Sequence, residues 1–173
     1  MVDRILGRIL GKTSSAMRMK DEAWMRHANP WSFATRPPTI LHNCLLVSRV
    51  DRLFFLIPLA VIAAWTFLNP RVFPKPRSTR NRASKGVFGE RIMVSRREYC
   101  VEIPEHHVKA AFALTMLSLA GAILLFYGIV ALEPLTTVAG CITACFGMLW
   151  YVDRMVWLFE DLKDHPVSKN WVY

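Results

Sequence analysis

Two long apolar runs dominate the C-terminal half of the chain. Residues 110–132 form twenty-three positions without a charge, and residues 135–152 add eighteen more after Glu133-Pro134. At about 1.5 Å per helical residue, each run covers roughly the 30 Å hydrocarbon core of a bilayer. The pattern predicts two transmembrane helices, 109–132 and 135–160, turning at Leu132-Glu133-Pro134. A third run, 53–68, is sixteen residues long and has Pro58 near its start. Residues 39–47 are too short and too polar to be read as a span from hydropathy alone.

Charge changes the reading of that fourth stretch. Residues 1–36 carry seven Lys/Arg against three acids, and residues 70–107 carry nine against four. Positive-inside bias places both regions on one side of the membrane, so an even number of passages must separate them. We therefore read 37–49, short or re-entrant, and 53–68 as a helical hairpin turning at residues 48–52. The second pair returns to the same side, so both termini are expected on the matrix or cytoplasmic face. The fold class expected is an all-α integral membrane protein of two helical hairpins, with an amphipathic N-terminal helix and a basic connecting loop. Its segments are 1–20, 21–36, 37–69, 70–107, 108–161 and a tail at 162–173. The net charge of +9, with 53% hydrophobic residues, fits anionic headgroups better than nucleic acid, because the basic residues flank spans.

In segment 1–20, Val2, Ile5, Leu6, Ile9 and Leu10 share one helical face, and Arg4, Arg8 and Lys12 another. Its composition resembles a mitochondrial targeting segment, but an interfacial helix is the reading preferred. In the connecting loop, Asn69-Pro70-Arg71-Val72-Phe73-Pro74-Lys75-Pro76-Arg77 should leave the membrane extended. A short surface helix is expected within 87–99, and Pro104-Glu105 supplies helix-start chemistry. Small residues at Ala111, Thr115, Ser118 and Ala122 form one seam, and Gly140, Ala144 and Gly147 another. The two seams are expected to face each other.

Candidate chemistry is sparse. No phosphate loop, nucleophile elbow, zinc-ligand spacing or haem-attachment motif occurs. Cys44, Cys100, Cys141 and Cys145 form no metal pattern and read as packing residues. His42 stands alone. His106 and His107 are adjacent, so they diverge by about 100° on a helix and lack the i, i+4 spacing of a chelating pair. The expectation is therefore no catalytic, cofactor or metal residue, with bound phospholipid as the one ligand. Candidate lipid or partner contacts are Trp24, Arg26, His27, Trp31, Arg36, Trp150 and Arg154. Asp153 is expected to pair with Arg26 or Arg36 and so hold the N-terminal segment against the bundle.

Three stretches carry a resemblance. Trp24-x-Arg26-His27-x-Asn29-Pro30-Trp31-Ser32-x-x-Thr35-Arg36 resembles a motif of an uncharacterised family of small polytopic membrane proteins found in prokaryotes. Asn69-Pro70-x-x-Phe73-Pro74-x-Pro76 is similar to that family's second element, and Trp150-Tyr151-x-Asp153-Arg154-Met155 more loosely to a third. The resemblance covers roughly residues 22–160 and implies topology without an activity. The motif itself reads as an anchor at the entry to the first hairpin. There, Asn29 before Pro30 is biased away from helix and Ser32 is available to cap the helix that follows.

The function expected is a non-catalytic accessory or stabilising subunit of a larger membrane complex, respiratory or otherwise energy-converting. Other membrane subunits and anionic phospholipids would be its partners, in a mitochondrial inner or bacterial plasma membrane. The alternative is a stand-alone small transporter or lipid-binding membrane protein.

Overall fold

The structure, a computed structural model, describes residues 6–7, 11–12, 17, 19–36, 38–40, 42 and 56–173. Most of the predicted N-terminal amphipathic helix, and all but positions 38–40 and 42 of the first hairpin arm at 37–49, lie outside the described residues. Among the described residues every regular element is helical. They run α1 (Asp21–His27), α2 (Pro30–Ala34), α3 (Leu56–Val72), α4 (Arg82–Ser95), α5 (Glu105–Ala131) and α6 (Pro134–Asp161), followed by a 3-10 turn at Lys169–Trp171.

α5 and α6 are long and apolar enough to cross a membrane. They form an antiparallel hairpin whose backbones touch. A Cβ at Gly121 would collide with Ala144, at Gly140 with Leu125, at Gly128 with Thr137 and at Gly147 with Ser118. Ser118 Oγ also donates to Ala144 O at 3.1 Å. The α6 seam is therefore the one read from sequence, but the α5 seam is rotated. It runs through Ala111, Leu114, Ser118, Gly121 and Gly128, while Ala122 faces outward and Thr115 bonds back to Ala111 O at 2.7 Å. Glycine permits closer backbone contact than alanine, and this decides the phase. The turn between the helices rests on Leu132 in the left-handed region, with φ 58°. Its neighbour Glu133 N donates to Gly128 O at 2.9 Å, which closes the end of α5.

α4 departs from the expectation of a surface helix. It starts at Arg82, capped by Asn81, whose side chain accepts from Ser84 N at 2.9 Å. Gly86, Val87, Phe88, Gly89, Arg91, Ile92 and Met93 are all buried. One glycine explains the depth: a Cβ at Gly89 would strike the backbone carbonyl of Met155 in α6. Two apolar clusters meet here. Met93, Val108, Ala111, Leu114, Tyr151, Met155 and Leu158 form one, with Leu6. Trp24, Ala28, Val87, Phe88, Ile92, Val101 and Phe159 form the other.

α3 also extends beyond its predicted end. Asn69-Pro70-Arg71-Val72 is helical, and the extended chain begins only after Val72. The C-terminal tail packs back on that chain. Thr79 N donates to Tyr173 O at 2.9 Å, Tyr173 N returns a bond to Thr79 Oγ1 at 2.9 Å, and Trp171 lies 5.5 Å from Phe88, ring to ring. The result is a packed cap of α1, α2, α4 and the tail around one end of the α5–α6 hairpin.

Candidate functional site

The two Asn-Pro stretches that stand apart in sequence interlock in space. Asn29 is extended at ψ 130°, as a residue before proline prefers, and its Oδ1 caps α2 by accepting from Trp31 N at 3.0 Å. The cap is thus Asn29 instead of the expected Ser32. The same Asn29 donates through Nδ2 to Pro74 O at 3.0 Å. Arg26 reaches the other side of the second stretch, donating to Arg71 O at 3.1 Å, and pairs with Glu22 at 3.0 Å.

Freed from capping, Ser32 sits in the middle of a buried chain of hydrogen bonds. It donates to Asn69 Oδ1 at 2.6 Å and lies 2.7 Å from His27 Nδ1. Arg36 Nε donates to the same Asn69 oxygen at 3.1 Å, and Asn69 Nδ2 donates to Thr35 Oγ1 at 3.1 Å. Two donors converge on Asn69 Oδ1, so the Ser32 proton points there and His27 must carry its own proton on Nδ1. His27, Ser32 and Asn69 are buried. Burial and, second, the Arg36 charge hold the His27 imidazole well below its usual range, so it is neutral.

An ionic layer lies behind this chain. Burial pushes the Glu90 carboxyl on α4 up, and nearby Arg36 draws part of that shift back. Burial likewise lowers the Arg36 guanidinium, with Glu90 opposing. Ser84 at the start of α4 donates to Ala28 O at 2.6 Å, fastening the same helix to the motif. The Ser32 hydroxyl does lie beside the His27 ring, but both are buried and the hydroxyl proton is directed to Asn69 Oδ1, so the described groups of the network satisfy one another.

The predicted contact residues divide into two sets. Trp24 and His27, expected to touch lipid or a partner, are closed inside the protein at 4% exposure each. Trp31 and Trp150 are exposed, at 68% and 43%, while Arg26, Arg36 and Arg154 are half-buried. Asp153 pairs with Arg82 of α4 instead of Arg26 or Arg36, which are engaged by Glu22 and Asn69. Sequence reasoning missed Asn81, Ser84, Lys85 and Arg91. Lys85 pairs with Glu160, and Arg91 pairs with Asp21, donates to Tyr99 Oη at 3.0 Å and covers the Trp171 ring at 4.3 Å. Three polar residues on α4 and a fourth at its cap were a usable signal, hidden by the absence of clear periodicity.

No curated protein and no solved structure matches the chain. One family does, and its match extends past both ends of the stretch on which the resemblance rested. Residues 9–172 match the Family of unknown function (DUF6653), and the chain belongs to that family.

Proposed function

We propose that this chain is an integral membrane protein serving as a non-catalytic, stabilising subunit of a larger membrane assembly, with both termini on the positively charged side. The observation that carries the reading is the bareness of the long hairpin. Only 22% of the most apolar stretch of α5 and 28% of that of α6 is buried within the chain. Leu119, Ile123, Phe126, Tyr127, Val130, Leu135, Ile142 and Phe146 are exposed away from the cap. A soluble monomer rarely exposes so wide a contiguous apolar face, so lipid or partner helices must cover it. α3 adds to the case: Ile57, Val61, Phe67, Leu68 and Val72 are exposed, and among its residues whose burial is described only Asn69 and Pro70, at the cap, are buried.

The polar groups support the non-catalytic part. They are spent on joining α1, α2, the end of α3 and α4, and the one hydroxyl beside an imidazole, Ser32 next to His27, is buried and gives its proton to Asn69. Purification from native membranes in a gentle detergent tests the proposal. Co-migration with a multi-subunit complex is expected, and a monodisperse particle of this chain alone would overturn it.

A lipid-binding role is favoured by one feature. A cavity of about 330 Å³ lies between α2, α4 and α6, walled by Phe33, Ala83, Leu149, Val152 and Val156, with Arg82 and Asp153 at its polar edge. Lipid retained by the purified single chain, and lost on Ala83→Trp, would support that role.

A further inference from the structure

At the end of the hairpin opposite the Leu132 turn, the start of α5 meets the end of α6. His107 is buried, and its Nε2 lies 2.8 Å from Asp161 Oδ2 on the last residue of α6. The ring of His106 lies 4.1 Å from that of His107, centre to centre, at an angle of 39°. Adjacent Cα–Cβ directions diverge on a helix, but rotation about the side-chain bonds brings these two rings together. One donor atom from each of His106, His107 and Asp161 falls within 4.8 Å of the others.

We infer that His106, His107 and Asp161 form a binding site for a divalent transition-metal ion of the zinc class. Two imidazole nitrogens and one carboxylate oxygen are the donor set of open zinc sites, which keep a fourth position for water. With bonds of about 2.0–2.1 Å, tetrahedral donors sit roughly 3.3 Å apart. The required contraction falls on His106 and Asp161, whose exposed side chains are free to turn. His107 stays fixed by its burial. The metal takes the place of the hydrogen shared by His107 Nε2 and Asp161 Oδ2; a neutral His107 then carries its one ring proton on Nδ1, and an imidazolium would release one proton to solvent. The glycine contacts along α5 and α6 hold the helices, and so the donors they carry, in register before any ion arrives.

The negative end of the α6 dipole at Asp161 meets the positive end of α5 here, so the donor set and not the helix dipoles favours a cation. A simple ion pair between His107 and Asp161 would need no third donor. The convergence of His106 is what points to an ion.

The test is a cobalt titration of the full chain in detergent micelles, freed of any histidine tag. A tetrahedral visible absorption that saturates at one equivalent and is displaced by zinc is expected. His106→Ala changes an exposed residue, so it should keep the helical circular dichroism while weakening binding by at least roughly tenfold. Asp161→Asn, which can still accept a hydrogen bond from His107, should weaken it as well. Absence of the absorption overturns the site. So does an unchanged titration in both variants, which would place the ion at another histidine.

Discussion

Neutral His27 donates from Nδ1 to Ser32 and lies buried near Arg36, so a second ring proton would add a charge where one is already poorly solvated. Its folded-state pKa lies below the unfolded value of about 6.5, so below that value the unfolded chain takes up a proton that the folded chain refuses. Stability contributed by neutral His27 is therefore complete above about pH 6.5 and is lost as pH falls through the window below it. The slope is at most about 1.4 kcal/mol per pH unit for one group. Glu90 acts in the opposite direction: its raised pKa costs stability as pH rises above about 4.5, until the folded carboxyl also ionises. His27→Asn keeps an amide donor near Ser32 and removes the titration. Thermal unfolding followed by circular dichroism should show wild type losing stability from pH 6.5 to 5 more steeply than this variant. Equal slopes would mean that His27 is not held neutral. The pairing of Asp153 with Arg82 belongs at the other extreme, since Arg82 is 70% exposed and an open pair of this kind contributes about 0–1 kcal/mol.

Between elements, stability turns on how closely helices approach, and the glycines offer a graded probe. Gly11, in a described helical position, has nothing within 4 Å of an added Cβ. Gly86 would meet a methyl of the Val152 side chain, which can give by a small shift, whereas Gly89 would meet the Met155 backbone, which cannot. Gly11→Ala should be neutral or stabilising by up to about 1 kcal/mol, from helix propensity and the lost freedom of the unfolded chain. Gly86→Ala should cost about 1 kcal/mol and Gly89→Ala about 3 kcal/mol or more, as α4 is forced off α6. Melting temperatures in one detergent measure the order, and a Gly89→Ala protein as stable as wild type would refute the close contact. This is also where legibility from sequence ends. α5 and α6 could be read because an uncharged run of that length has few uses besides crossing a membrane. α4 could not, because its burial depends on glycines that a periodicity argument counts as helix-weakening. The motif's internal network was equally hidden, since Ser32 and Asn69 are thirty-seven positions apart and nothing local pairs them. What could be read locally was that Asn29-Pro30 breaks the helix.

For the molecule as a whole, charge and apolar surface give one sidedness. The capped end gathers the basic loop, the tail at Tyr173 and the N-terminal motif, while Leu135 at the far turn is 83% exposed and apolar. Moving a basic cap through hydrocarbon is prohibitive, so the bilayer must lie between this cap and the Leu132 turn if the hairpin spans it. Three single cysteines test the arrangement, each placed in a background with Cys44, Cys100, Cys141 and Cys145 changed to Ala. Arg97→Cys, exposed on the cap, should react with an impermeant maleimide only from the cytoplasmic or matrix side. Leu135→Cys should react only from the opposite side, and Arg49→Cys, at the predicted turn of the first hairpin, from that opposite side too. The outcomes separate two parts of the reading. If Leu135→Cys labels from the same side as Arg97→Cys, α5 and α6 do not cross and the membrane proposal fails. If only Arg49→Cys moves to the Arg97 side, the long hairpin stands, but the first arm does not reach the far surface. The bare flank of α3 would then face a partner or a membrane surface, and the chain would cross the bilayer twice.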